Sequence, residues 1–402
     1  MKTACVRVFV PQNGCVLKTT GIIFCALIFL AGCVTQPPAS EKTGAVPSGE
    51  MGSLSWDDTH PILQPGVAQT NHVAAVRANN QAASVIWSNP PPVVVRQPAP
   101  IFTWTALANW AAEYRIGKVH LVSSSPVTTY AVGSSNGVMV LEIGSREATW
   151  IDSRQTNSSG VEINLGFAPE LIDDEIYLHG LDLEKNLKPL LCGPPLTFPT
   201  TNRVIVIDPG HGGSNTGTHS VLDGRFEKEF TLDTALRLKP LLEAEGWTVF
   251  LTRTSDVDVA NSFRPIFATA HHADLFISLH FNATDKPDPA VGGLETYCFT
   301  PTGMPSTVTR GYADPWTEKL SSNDFDAQNL QLAVKMQGTI SRETGLEDRG
   351  VRHVRFIEVL RNQHCPAVLI ENGYLSNPAE AQKIESAAFR QKLAQAIADA
   401  LK

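Results

Sequence analysis

The chain has 402 residues, and 32 Lys and Arg against 40 Asp and Glu give it a net charge of −8, with no basic run anywhere along it. A phosphate-neutralising surface is thereby excluded, and nucleic-acid binding with it. At 43% hydrophobic and 18% charged residues, the composition also excludes an intrinsically disordered chain and a polytopic membrane protein.

Such a length predicts two or three domains. The first feature in chain order is the apolar run over 21–32, GIIFCALIFLAG. At about twelve residues it is too short for a spanning helix, which needs about twenty, and it fits a signal-peptide core. Lys18 supplies the positive flank, and Leu30-Ala31-Gly32-Cys33 resembles the lipobox of bacterial lipoproteins. That resemblance makes 1–33 a lipoprotein signal with Cys33 as the lipidated residue; the alternative is an ordinary signal peptide with an incidental Cys. Val34, not Asp, follows Cys33, which implies anchoring at the inner leaflet of the outer membrane, facing the periplasm. Pro11, Asn13 and two cysteines interrupt 1–15, so translation is expected to start downstream. The Pro-rich stretch 34–102 is expected to form an extended, semi-flexible tether. Beyond Cys33 only Cys192, Cys298 and Cys365 remain, an odd number without C-x-x-C spacing, so neither a disulfide framework nor a structural zinc knuckle is expected.

From 103 to 195 the pattern predicts a small α+β domain: a helix over 104–112, strands over 118–122, 129–132, 137–143, 161–165 and 175–178, and a helical close over 181–191. The alternation resembles the copper amine oxidase N-terminal-like domain appended to bacterial envelope enzymes. The name implies no copper here, because His120 and His179 stand alone. After Gly193-Pro194-Pro195 the grammar changes. Apolar strands over 204–207, 247–251, 275–279, 294–299 and 367–370 alternate with helical patterns over 231–245, 263–273, 328–344 and 387–401. Strands apolar throughout and separated by helices predict an α/β domain over 200–402, a mostly parallel sheet flanked by helices.

In such a sheet, ligands bind beyond the carboxyl ends of the strands. The first strand runs into Asp208-Pro-Gly-His-Gly-Gly213, the third into His280 and the fifth into Glu371, and Glu227 precedes the helix that returns to the same edge. His211, His280 and a carboxylate make a His₂Glu set suited to a catalytic Zn²⁺, with Glu227 or its neighbour Glu229 as the carboxylate. Glu371 is left over as a general base.

Those residues lie in six ordered motifs: 204–213 (VIVIDPGHGG), Glu227-Lys228, 274–283 (DLFISLHFNA), Gly293-Leu-Glu-Thr296, Arg349-Gly-Val351 and 368–377 (VLIENGYLSN). Together they resemble the zinc-dependent N-acetylmuramoyl-L-alanine amidases of the amidase-3 type, across residues 203 to 402. The resemblance implies His211, Glu227 and His280 as zinc ligands, Glu371 as the catalytic glutamate, and peptidoglycan as substrate, cut between N-acetylmuramic acid and L-alanine. Asn282 is then placed to position substrate or support His280. Phe281 and Asn372 depart from the commoner residues beside these motifs and are expected to touch the site's lining. Activator-controlled members carry a long helical insertion where this chain has a short loop over 300–325, so a loop or lid is expected there, and no activator partner. Of the remaining histidines, His364 is the one expected to line the groove. A zinc peptidase or deacetylase acting on other envelope amides is the competing enzyme, and a non-catalytic wall-binding lipoprotein the competing non-enzyme.

Overall fold

The computed structural model describes residues 103–154, 160–308 and 316–402. The signal-peptide, Cys33 and tether expectations for 1–102 lie outside the described residues. Among those described, no helix is long and apolar enough to cross a membrane.

The N-terminal module begins with β1 (Trp104–Ala106) and α1 (Leu107–Glu113), followed by β2 (His120–Ser123), β3 (Thr129–Gly133), β4 (Gly137–Glu142), β5 (Glu147–Asp152) and β6 (Val161–Asn164). Next come β7 (Glu170–Ile172), β8 (Glu175–His179), and a helical run of α2 (Gly180–Asp182), a π turn (Leu183–Leu187) and α3 (Lys188–Leu191). The helix expected from 104 begins only at Leu107. Residues 104–106 are instead extended, because each pairs with β8 in an antiparallel register, and tertiary pairing overrides local helical period.

The second half holds β9 (Val204–Pro209), α4 (Glu227–Ala244), β10 (Thr248–Leu251), α5 (Phe263–Ala270), β11 (Leu275–Asn282) and β12 (Leu294–Phe299). It closes with α6 (Asp326–Thr344), β13 (Asp348–Val354), β14 (Ala367–Tyr374), α7 (Pro378–Glu385) and α8 (Ala387–Asp399). The sheet order is β10-β9-β11-β14-β12-β13-β6-β5-β4-β3-β2. Strands β10, β9, β11 and β14 are mutually parallel, as their unbroken apolar character predicts. β12 reverses direction against β14. The fold is therefore α/β, with a large mixed sheet flanked by helices. Alternate strand residues divide between two cores, with Ile205, Ile207, Ile277 and Ile370 on one face and Val206, Phe276, Tyr297 and Leu369 on the other.

The module does not stand apart from this sheet. β6 joins β13 in parallel through Ile163 and Val351, and Asp348 Oδ2 accepts the Glu162 N–H at 2.9 Å. A buried polar chain crosses the same junction. Asp182 accepts backbone N–H groups from Gly166 and Phe167, Asn186 Nδ2 donates to Asp182 at 2.7 Å, and Asn186 Oδ1 meets His353 Nε2 at 3.0 Å. Cys298 Sγ lies 3.3 Å from His353 Nδ1, and all three described cysteines are free thiols.

Burial pushes His353 down to about 4 and Asp182 up to about 6. Between pH 6.5 and 4 the unfolded chain binds a proton at His353 that the native state refuses, so this group removes stability as pH falls. Asp182 works the other way, since the native state keeps a proton that the unfolded carboxyl loses above about 4. In the wild type the two slopes oppose each other. His353→Gln is expected to uncover the Asp182 slope, changing the stability difference between pH 7 and pH 4.5 by about 2 to 3 kcal/mol in favour of acid. Urea unfolding at the two pH values measures this; an unchanged difference would sink the assignment.

Candidate metal centre and active site

The carboxyl ends of β9, β11 and β14 share one rim, and the ionisable residues expected there converge on it. Each of His211, Glu227, His280 and Glu371 is buried. Glu227 opens α4 and reaches between the two imidazoles: its Oε2 lies 3.0 Å from His211 Nε2 and its Oε1 3.0 Å from His280 Nδ1. Ligand atoms of His211, Glu227 and His280 all lie within 4.8 Å of one another. Glu229 instead folds back on the helix start, its carboxylate accepting the Phe226 N–H.

The backbone is shaped around this group. His211 has φ +63°, a left-handed conformation that costs a non-glycine residue about 1–2 kcal/mol. Its carbonyl accepts Arg264 Nη2 at 3.0 Å, and the Pro209 carbonyl accepts both Arg264 Nη1 at 3.1 Å and Arg253 Nε at 3.0 Å. Arg264 is in turn paired with buried Asp208, which also accepts hydroxyls from Thr252 and Ser278. Two buried arginines thus hold the loop on which His211 is presented. Asn215 Oδ1 sits 2.8 Å from His211 Nδ1, orienting the ring so that Nε2 faces inward.

Glycine is required where these side chains pass the backbone. A Cβ at Gly210 would lie 2.3 Å from the His280 ring, and one at Gly217, φ +66°, would lie 2.5 Å from Glu227 Oε2. Gly217→Ala is therefore expected to weaken metal affinity at least tenfold with the fold retained. Competition with a chromophoric chelator reads this directly, and wild-type affinity would refute it.

Electrostatics separate the two glutamates. Burial disfavours charge on Glu227, but His211 and His280 outweigh it and hold the carboxyl well below its usual range. Glu371 has no cation in contact, and burial, followed by the charges of Glu227 and Glu295, raises it well above the carboxylate range. Its Oε2 is buried without a hydrogen-bond partner. An orphaned carboxylate oxygen is costly unless something occupies the space it faces. That orphan, together with two imidazoles and a carboxylate converging at ligand spacing, fits a zinc ion held by three protein ligands with one position open.

The cleft is lined by His211, Thr218, Glu227, Phe281, Asn282, Ala283 and Glu371. Phe281 lines it as expected, whereas Asn372 turns away and donates to the carbonyls of His280 and Ile370. Asn282 sits on the wall, donating to Glu295 Oε2 at 3.1 Å. The 300–325 loop leaves the end of β12, and because β12 runs antiparallel that end is opposite the site; its described residues bond to Val354, His353 and Leu360. The expectation for His364 fails, since it precedes β14 and lies at that far end. Sequence reading assigned no role to Glu295, although it stands directly across from Glu371 in the β12–β14 register. A rule that looks only at carboxyl ends passes over the amino end of a reversed strand.

Residues 205–402 match the family described as N-acetylmuramoyl-L-alanine amidase. The chain is 33% identical over 205 residues to the N-acetylmuramoyl-L-alanine amidase LytC of Bacillus subtilis, covering 51% of this chain and 36% of that one. It is 35% identical over 199 residues to the N-acetylmuramoyl-L-alanine amidase CwlM of Bacillus licheniformis, covering 49% and 66%. Among solved structures, the N-acetylmuramoyl-L-alanine amidase of Clostridium difficile 630 matches at 32% identity with a TM-score of 0.41, over 50% of this chain and 96% of that one. The match thus spans less than two thirds of the length of these curated relatives.

Proposed function

Because residues 205–402 form a domain of the N-acetylmuramoyl-L-alanine amidase family, we propose that this chain hydrolyses the amide between the lactyl group of N-acetylmuramic acid and L-alanine in peptidoglycan. The observation that carries the reading is the unpartnered Oε2 of Glu371 beside the buried His211, Glu227 and His280 group. His211, Glu227 and His280 would hold zinc, which when bound supplies Lewis acidity toward a carbonyl and a water. Glu371 takes a proton from the attacking water at Oε2, the oxygen that no protein donor occupies. The same oxygen then returns the proton to the departing alanine nitrogen as the carbon–nitrogen bond breaks. The products are a lactyl carboxylate and a stem peptide with a free amino terminus. Phe281 and Ala283 close one side of the cleft and limit bulk water there.

Mass spectrometry of peptidoglycan digests tests this. Intact stem peptides with free alanine amino termini, lost with chelator and recovered with zinc, are expected. Cleavage inside the stem would move the activity to a zinc peptidase, and wall binding without cleavage to a non-catalytic lipoprotein.

The lipobox reading of Leu30-Ala31-Gly32-Cys33 supports a periplasmic address with a lipid anchor in the outer membrane. Cys33→Ser is expected to shift the protein from the membrane to the soluble fraction; unchanged membrane retention would refute lipidation.

A further inference from the structure

Glu371 is buried among hydrogen-bond donors, yet its Oε2 receives none of them. Three donors of that wall end on Glu295 instead. Its Oε2 accepts Asn282 Nδ2 at 3.1 Å, the Tyr297 hydroxyl at 2.9 Å and the Tyr374 hydroxyl at 3.0 Å. Its Oε1 faces Arg349 Nε at 3.4 Å and Arg352 Nε at 3.5 Å. Glu295 is 5% exposed, and a buried carboxylate so supplied is fully compensated.

Geometry makes this arrangement bear on Glu371. The backbone register places His280, Glu371 and Glu295 side by side on three neighbouring strands, and directly opposed residues project from the same face of a sheet. Tyr297 lies two residues along β12 on that face, opposite Leu369, and Asn282 and Tyr374 pair on the other side of the His280, Glu371 and Glu295 row, where β11 and β14 shift register. Burial, then Glu295 and Glu371, push the Tyr297 hydroxyl up, and burial and Glu295 do the same for Tyr374. Both hydroxyls therefore remain donors across any working pH. Glu371 is the other carboxylate whose charge both hydroxyls feel, so with Glu295 absent it is the acceptor left to them.

We propose that Glu295 is a positioning residue that gathers the neighbouring donors onto itself, leaving Glu371 Oε2 unbonded and free to accept a proton from water. The inference rests on the reading of Glu371 as the base. It also gives Asn282 a role in shaping the cleft. Glu295 holds the amide through Nδ2 while Oδ1 accepts the Ala283 N–H at 2.7 Å, which fixes the wall beside His280.

The test uses purified chain in four forms: wild type, Glu295→Gln, Glu295→Asp and the double variant Glu295→Gln with Tyr374→Phe. Stem-peptide release gives kcat and KM, alongside zinc content and melting temperature. Glu295→Gln, which loses the charge and turns a donor toward the tyrosines, is expected to lower kcat by about 10- to 100-fold with KM within about twofold and zinc content unchanged. The double variant removes a released donor and is expected to recover at least threefold of that loss. A merely structural Glu295 would make the second substitution additive and move KM or zinc content with kcat. Should Glu295→Gln fail to fold, Glu295→Asp keeps a carboxylate for the same donors and is expected to retain at least a third of wild-type kcat. A tenfold loss in a folded, zinc-loaded Glu295→Asp overturns the inference. An active wild type with an unaffected Glu295→Gln overturns this inference alone, whereas a wild type that releases no stem peptide overturns the amidase reading beneath it.

Discussion

Glu371→Gln is expected to lower turnover on peptidoglycan by about a thousandfold while leaving zinc content and wall binding as in the wild type. The substitution is isosteric, and the position is 1% exposed, so neither packing nor access changes. What changes is one atom, because an amide has no basic oxygen to receive the proton at the place where Glu371 Oε2 stands unpartnered. Glu371 is not within the His211, Glu227 and His280 group, so metal affinity should be preserved. Product mass spectrometry and elemental analysis on one preparation check both halves. Turnover within tenfold of the wild type would remove Glu371 from the chemistry, and parallel loss of zinc would make it a ligand.

Stripping the metal is expected to have the second large effect: no detectable hydrolysis, full recovery with zinc, and a lower melting temperature in between. Without an ion, the two imidazoles share a single carboxylate, each 3.0 Å from one of its oxygens. An ion bound only by the native state, at a free concentration about a thousand times its Kd, adds about 4 kcal/mol of stability. For the roughly 300 residues that share one sheet and core, that corresponds to about 6 °C. Because unprotonated imidazoles would be the ligands, affinity should fall as the pH is lowered. Calorimetry of stripped and reloaded protein decides it. Equal melting curves, or hydrolysis that survives a chelator, would separate this group from the function.

Much of the site was legible because β9, β11 and β14 are buried on both faces and so announce themselves as apolar runs, with their polar residues displaced to the ends. Glu227 was legible through its place ahead of a helix and through the Glu-Lys motif that separates it from Glu229. Other parts were hidden for identifiable reasons. β13 reads Asp348-Arg-Gly-Val-Arg-His-Val354 and carries charge along its length, yet it is a strand because Gln337 of α6 and the neighbouring β12 satisfy it. β5 was missed because its ends are Glu147 and Asp152, leaving only the short mixed run Ala148-Thr-Trp-Ile151 between them. Arg253 and Arg264 carry no local signal for this task, since the Pro209 and His211 carbonyls they hold lie more than 40 residues earlier in the chain. The direction of β12 was equally invisible. That reversal starts the 300–325 loop at the end of β12 away from the site and brought Glu295 to the rim.

The junction of β6 with β13 bears on how this protein can be handled. A catalytic half cut free near residue 200 would lose the partner of β13 and the module's share of a continuous core, in which Leu165 and Leu187 pack with the residues around Val351. The cut would leave a strand with open amide groups beside a bare apolar strip, the kind of surface on which unrelated chains stack edge to edge. Solubility, rather than catalysis, is where the truncated protein would fail first. A shortened chain that starts at residue 103 keeps that edge covered.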